Sequence, residues 1–194
     1  MKILFLGPDK KPQRQLASYL LNDKNLVYRK DDSLDIDYVV KSNYDYAISF
    51  GYGHIIKKDI INYFKEKIIN LHISLLPWNK GADPNLWSVL ENTPKGVTIH
   101  QIEKGLDSGK IICKKEVTFN ENETFRSSYK LLNETIIEMF QDNWKNIKNE
   151  KLKRYSQVGK GSYHRSADKI KYMELLTEGW DTKIKDLEGK ALIV

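Results

Sequence analysis

The first 74 residues alternate short apolar segments with stretches that favour helices, and this alternation constrains the fold more than any other feature of the chain. Four segments, at residues 2–7, 26–29, 44–50 and 67–74, are predicted to be β-strands. The last of them alternates only loosely, which is typical of parallel strands buried on both faces. Strands separated by helical segments predict an α/β fold with a mainly parallel sheet flanked by helices.

The pattern changes after Pro77. A polar loop is followed by two β runs, at residues 96–103 and 110–119, which are joined by a turn-forming connection. Apolar residues then recur every three or four positions from Phe125 to Ile147, which predicts an amphipathic helix, and Thr124 is its predicted cap.

The length of 194 residues fits one domain with a small appendage. We predict a main domain at residues 1–150 and a C-terminal extension at residues 151–194 that packs on it. No segment approaches the ~18 apolar residues that a membrane span needs, and the apolar start is too short for a signal peptide. The single cysteine, Cys113, fits a reducing compartment. We therefore expect a cytoplasmic protein without a membrane partner.

The net charge of +6 is concentrated between residues 143 and 165, where seven Lys and Arg residues accompany one acid, Glu150. This stretch is either a solvated helix end with its loop or a patch that faces phosphate groups.

Several common active-site motifs are missing from the sequence. Gly7-Pro8-Asp9 does not match the glycine-rich turn of a dinucleotide fold, and there is neither a phosphate-binding Walker loop nor a serine-nucleophile elbow. With one cysteine and four scattered histidines, the spacing supports no metal site. His100 is interpreted as structural and His54 as a solvated loop residue.

Asn70-Leu71-His72 ends the fourth predicted strand. Positions i and i+2 of a strand point to the same face, so the amide and the imidazole are expected side by side. They would lie at the carboxyl end of a strand in an α/β sheet, where ligands favour binding. This pair suits a reaction in which a carbonyl oxygen becomes negative while a proton moves. Alone, the pattern also fits a structural histidine.

Three motifs in one ordered series support the catalytic interpretation. They are Ile69–Pro77 (INLHISLLP) followed by Gly81, the strand Gly96–His100 (GVTIH), and the turn Leu106–Gly109 (LDSG). Over roughly residues 1–120 the chain resembles the folate-dependent formyltransferase family, which includes the glycinamide ribonucleotide, methionyl-tRNA and nucleotide-sugar formyltransferases. The resemblance implies a Rossmann-like, mainly parallel sheet and transfer of a formyl group from 10-formyltetrahydrofolate to an amine, with tetrahydrofolate as product.

The resemblance also implies roles for individual residues. Asn70, His72 and Asp107 match the catalytic triad: Asn70 would donate to the oxyanion, His72 would move a proton, and Asp107 would orient and stabilise His72. Backbone groups of two loops would hold the pterin. The residues expected at the cofactor are Phe50, Gly51, Tyr52, Gly105, Leu106 and Asp107.

The loop Trp78–Trp87 and the tail Tyr163–Arg165 resemble the nucleotide-sugar branch, which formylates dTDP-linked sugars such as 4-amino-4,6-dideoxyglucose. We therefore expect a dTDP-4-amino-4,6-dideoxyhexose as substrate, a role in O-antigen or lipopolysaccharide biosynthesis, no nucleic-acid partner, and a homodimer as one form of assembly. The alternatives are a purine-synthesis formyltransferase, a cofactor hydrolase and a non-catalytic nucleotide-binding module. The expected substrate-binding residues are Trp78, Asn79, Lys80, Asp83, Asn85, Tyr163, His164 and Arg165.

Overall fold

The computed structural model describes residues 1–193, and the side chains of residues 1–191. The strands and longer helices in chain order are β1 (Lys2–Leu6), α1 (Lys11–Asn22), β2 (Leu26–Lys30), α2 (Ile36–Ser42), β3 (Tyr46–Phe50), α3 (Lys58–Phe64), β4 (Ile68–His72), β5 (Lys80–Gly81), α4 (Pro84–Leu90), β6 (Gly96–Gln101), β7 (Ile111–Glu116), α5 (Phe125–Lys148) and β8 (Tyr163–His164). Short 3-10 helices follow at Ile170–Leu175, Gly179–Asp181, Ile184–Asp186 and Lys190–Ile193.

Six strands form the central sheet, in the order β2-β1-β3-β4-β6-β7. β1 to β4 run parallel to one another, whereas β6 runs antiparallel to β4, and β7 antiparallel to β6. The predicted α/β fold with a mainly parallel sheet is therefore confirmed. β5 and β8 pair separately as a small parallel ribbon.

Helices cover both faces of the sheet because the side chains of the buried strands alternate between two apolar clusters. Ile3 and Phe5 of β1 pack with α1 and α5, whereas Leu4 and Leu6 pack with α2 and α3. On β4, residues 69 and 71 belong to the α1–α5 cluster and residue 68 to the other. The side chains of residues 70 and 72 therefore point away from the α1–α5 face.

The long helix α5 supplies much of one layer. Thr124 caps it as predicted, because its side chain accepts a hydrogen bond from the Ser127 backbone N–H while the Ser127 side chain accepts one from the Thr124 N–H. Phe140 and Trp144 are almost fully buried against the sheet. Each large apolar side chain buried in this way stabilises the fold by about 1.5–3 kcal/mol.

The extension lies along the main domain and reaches the loop that follows β4. Ile111 and Tyr155 exchange two backbone hydrogen bonds, at 2.9 and 3.1 Å. Farther along, β8 pairs Tyr163 with Lys80 and His164 with Gly81. The division at residue 150 stays a prediction. Within residues 1–193, no helix is both long and apolar enough to cross a membrane.

Candidate active site

β4 and β6 present three polar side chains to one small region. Asn70 pairs directly with His100 across the antiparallel β4–β6 ladder, two positions before His72. The Asn70 amide donates to His100 Nε2 at 3.3 Å. His100 Nδ1 lies 2.8 Å from the Gln101 carbonyl and donates to it, so Nε2 is left to accept. His100, interpreted as structural from the sequence, thus touches the predicted catalytic amide.

The turn after β6 brings Asp107 to the same place. Its carboxylate accepts hydrogen bonds from the Asn70 amide at 3.2 Å and from the Gly81 backbone N–H at 2.8 Å. Asp107 adopts a left-handed backbone conformation (φ 48°), which Asp tolerates better than most residues. Gln157 of the extension donates to the carbonyls of Asp107 and Gly109, at 2.8 and 2.9 Å, and so fixes this turn.

His72 faces Asp107 with one ring nitrogen and the main chain with the other. Its Nδ1 lies 3.7 Å from Asp107 Oδ2, and its Nε2 lies 3.1 Å from the carbonyl oxygen of Asn79. A carbonyl only accepts, so Nε2 carries the proton and Nδ1 is the basic nitrogen of the neutral ring. The predicted convergence of Asn70, His72 and Asp107 is confirmed as geometry.

Burial and charge set the protonation states of this pair. Burial lowers the pKa of His72, although the Asp107 carboxylate opposes that effect. Burial acts to raise the pKa of Asp107, but the neighbouring rings of His72 and His100 and the Gly81 N–H outweigh it and hold that pKa well below its usual value. At neutral pH the site therefore combines a neutral imidazole with a carboxylate, a pair suited to receive one proton between them.

Replacing His72 by Gln is expected to flatten the acid limb of the stability profile. The folded protein keeps His72 neutral, whereas the unfolded chain protonates it below its ordinary pKa of 6.5, so stability falls as pH drops below that value. Between about pH 7 and pH 5 the wild type should lose more stability than the variant, by up to about 2 kcal/mol, the limit set by the ordinary pKa of 6.5. Urea unfolding at several pH values measures this difference, and parallel profiles would contradict a neutral, buried His72.

The structure places the predicted cofactor residues on two turns. The Phe50 side chain is buried in the core, so only its main chain is available to a ligand. Gly51 and Gly105 both have left-handed φ angles, of 70° and 106°, while Tyr52 donates to the Asp32 carbonyl at 2.7 Å. Leu106, 51% exposed beside Asp107, offers apolar surface. The assignment of these residues to the cofactor stays a prediction.

Two of the predicted substrate residues are placed differently from the prediction. Asn79 is fully buried, and its amide bonds to Thr93 and Glu91. Asn85 is also buried, and its amide bonds to the Phe125 carbonyl and the Ser128 hydroxyl. Neither side chain faces a surface that a substrate could reach, so their assignment to the substrate is corrected to internal packing.

The other predicted substrate residues surround this packed region. Trp78 and Lys80 are partly exposed, and Tyr163 and Arg165 are exposed. Asp83 forms an ion pair with Lys169 at 2.9 Å.

His164 stacks on Trp87 with ring centroids 3.7 Å apart. Because β8 pairs with β5, and Gly81 of β5 binds Asp107, the tail lies next to the Asp107 carboxylate.

The basic side chains between residues 143 and 165 lie in different surroundings. Lys148 and Arg154 are engaged in ion pairs with Asp23 and Glu66, at 2.6 and 3.0 Å. These ion pairs favour, for Lys148 and Arg154, the interpretation as a helix end with its loop over a patch that faces phosphate groups. Arg165 is exposed beside β8, where it remains available to a phosphate group.

Sequence reasoning missed Gly81, His100 and Gln157 as partners of the site. His100 had a signal, because it stands opposite Asn70 once β6 is paired antiparallel with β4. Gln157 had none, because its contact depends on the path of the extension. No group of three or more His, Cys, Asp and Glu able to hold a metal ion occurs within the described part of the chain.

Comparison with known proteins agrees with this geometry. A family model described as formyl transferase matches residues 4–141. The formyltransferase PseJ from Anoxybacillus kamchatkensis, solved in complex with UDP-4,6-dideoxy-4-formamido-L-AltNAc and tetrahydrofolate, is 49% identical, with a TM-score of 0.93 over 98% of this chain and 100% of that one.

Longer relatives are also similar. A methionyl-tRNA formyltransferase from Clostridium botulinum is 30% identical over 97% of this chain and 64% of its own length. The bifunctional polymyxin resistance protein ArnA from Wigglesworthia glossinidia brevipalpis is 32% identical over 82% of this chain and 27% of its own. The chain thus spans less than two thirds of these curated relatives.

Proposed function

The chain belongs to the formyl transferase family, and from that premise we propose that it moves a formyl group from 10-formyltetrahydrofolate to the amine of a nucleotide-linked 4-amino-4,6-dideoxy sugar. The observation that carries this proposal is the 49% identity to PseJ along nearly the whole of both chains. That likeness favours a UDP-linked sugar over the dTDP-linked sugar expected from the sequence.

The residues of this chain supply what the reaction needs. The bound donor supplies the formyl carbon, to which the amine nitrogen forms a bond while the formyl oxygen gains negative charge. His72 takes the amine proton at Nδ1, and Asp107, 3.7 Å away, stabilises the resulting imidazolium. The proton then passes to the nitrogen of the donor, which leaves as its bond to the formyl carbon breaks.

Asn70 is the proposed donor to the negative oxygen. In the structure its two amide N–H bonds point at His100 and Asp107. These partners hold the amide close to the triad, and one N–H has to turn towards the formyl oxygen once the donor is in place. Preorganised donors of this kind contribute about 100–1000-fold in turnover.

The nucleotide half of the substrate is proposed to bind along the ribbon formed by β5 and β8. Lys80 and Arg165 flank the Gly81–His164 pair, and Gly81 binds Asp107 directly. Two cations there can form charge-assisted hydrogen bonds with a diphosphate and orient the sugar amine at the formyl carbon. A nucleotide-linked substrate also favours a cytoplasmic enzyme that supplies surface-polysaccharide synthesis. A homodimer stays a prediction.

Removing the nucleotide from the substrate is expected to reduce kcat/KM by at least about 100-fold, because two charge-assisted contacts worth about 1.5–3 kcal/mol each are lost. The measurement compares a UDP-4-amino-4,6-dideoxy sugar with the free amino sugar, by mass spectrometry of the products.

Glycinamide ribonucleotide and methionyl-tRNA serve as competing amines in the same assay. Formylation of either of these with none of the nucleotide sugar would overturn the proposed substrate. Equal rates for free and nucleotide-linked sugar would instead show that the ribbon formed by β5 and β8 has no part in substrate recognition.

A further inference from the structure

Asn79 occupies an unusual position for a polar residue in a loop. It lies between β4 and β5, is fully buried, and has a left-handed backbone (φ 53°). Asn adopts this conformation more readily than most residues, because its short side chain can hydrogen-bond locally. A buried amide in such a loop must find its partners within the protein.

Every polar group of Asn79 has a partner. Its backbone N–H donates to Ser162 Oγ at 2.9 Å, and its side-chain N–H donates to Glu91 Oε2 at 3.3 Å and to Ser162 Oγ at 3.4 Å. Its side-chain oxygen accepts from Thr93 Oγ1 at 2.8 Å, and its carbonyl accepts from His72 Nε2 at 3.1 Å. The residue cannot shift without breaking buried hydrogen bonds.

The partners come from separate parts of the chain. Thr93 and Glu91 follow α4, and Ser162 belongs to the extension. The extension also approaches Glu91 itself, because His164 Nε2 lies 3.0 Å from Glu91 Oε1. The two atoms are within ion-pair distance but lack hydrogen-bond geometry. The stacking of His164 on Trp87 keeps the ring in this position.

The Asn79 carbonyl determines which ring nitrogen of His72 carries the proton. By accepting from Nε2 it keeps the proton on that nitrogen, so the basic Nδ1 faces Asp107. A hydrogen bond at one ring nitrogen of a histidine selects the tautomer and the ring orientation. A displaced Asn79 carbonyl would free the ring to rotate or to move its proton to Nδ1.

We propose that Asn79 is a positioning residue for formyl transfer, and that Thr93, Glu91 and Ser162 hold its carbonyl so that Nδ1 of His72 is the nitrogen that accepts the proton. This inference rests on the proposed function and adds to it a role for the C-terminal extension. Asn79 acts through His72 and does not touch the substrate.

Thr93→Val tests the proposal, because it removes one hydroxyl that holds Asn79 and leaves Asn79 itself unsubstituted. The matched control is Thr135→Val: Thr135 is buried to the same degree, with exposures of 7% and 8%, and bonds to the Leu131 carbonyl within α5. Thr93→Val is expected to lower kcat about tenfold, since small misplacements of catalytic groups cost up to about 100-fold. KM for both substrates, and kcat of Thr135→Val and Thr93→Ser, should stay within about twofold of wild type.

Nitrogen-15 NMR of the histidine rings supplies a readout that needs no substrate. His72, identified by loss of its signals in His72→Ala, should show a protonated Nε2 in wild type, Thr93→Ser and Thr135→Val. Thr93→Val should lose that single-tautomer signature, and so should Ser162→Ala, a second variant that keeps the Thr93 contact.

Retention of the wild-type tautomer in both Thr93→Val and Ser162→Ala would overturn the proposal. So would a kcat of Thr93→Val equal to that of Thr135→Val. Failure of the wild type to formylate any amine would instead reject the proposed function, while the NMR result still reports on Asn79.

Discussion

His72→Ala is expected to lower kcat for formyl transfer by at least about 100-fold while the protein stays folded. Nδ1 of His72 faces Asp107 Oδ2 at 3.7 Å, while the other ring nitrogen is engaged by the Asn79 carbonyl. Without this ring the amine proton loses its proposed acceptor. Steady-state turnover with the nucleotide sugar measures the loss, and circular dichroism with thermal unfolding confirms the fold.

Added imidazole distinguishes lost chemistry from lost structure. The alanine variant leaves a ring-sized space in a buried site, so free imidazole should restore part of the activity. His72→Gln fills that space and should not respond. Activity of His72→Ala within tenfold of wild type would show that His72 is not central to the reaction.

Asp107→Asn is expected to lower kcat by about 100–1000-fold. Asn tolerates the left-handed backbone at this position, and its side-chain oxygen can still accept from the Gly81 N–H. The charge that stabilises a protonated His72 is lost, and an amide nitrogen now competes with the donor group of Asn70. The initial rate at saturating donor and amine measures the effect.

Asp23→Asn is the matched control for this substitution. Asp23 also accepts hydrogen bonds from neighbouring side chains, including Trp144 Nε1 at 3.0 Å and Lys148 at 2.6 Å, but it lies after α1 and away from the triad. Its kcat should stay within about twofold of wild type. If the two variants lose activity equally, the effect at Asp107 arises from stability and not from catalysis.

The sequence was sufficient to predict the sheet and its long helix. The buried strands carry apolar residues at nearly every position, and α5 carries them every three or four residues. Both patterns can be recognised from the sequence alone. Helix α2 was not predicted, because its β-branched residues at positions 36, 39 and 40 favour strands over helices and only Val39 is buried. The antiparallel pairing of β6 with β4 depends on contacts across the sheet, which spacing along the chain does not encode.

Local geometry predicted part of the site. Strand alternation placed Asn70 beside His72, but alternation alone could not bring Asp107 to them, and that placement came from the family resemblance. Asn79 and Asn85 were assigned to the substrate because their loop resembles the nucleotide-sugar branch and their amides could hydrogen-bond to sugar hydroxyl groups. Their burial follows from partners at Thr93 and on α5, which no local pattern reveals.

The fate of a labelled formyl group is the most direct test of formyl transfer to the sugar amine. The protein is incubated with 10-formyltetrahydrofolate carrying a carbon-13 formyl group and with a UDP-4-amino-4,6-dideoxy sugar, and the label is followed by mass spectrometry and NMR. We expect the labelled formyl group to appear on the sugar amine in the wild type and to be absent there in His72→Ala and Asp107→Asn. Release of the label as formate, with the sugar unmodified, would contradict it and indicate hydrolysis of the donor.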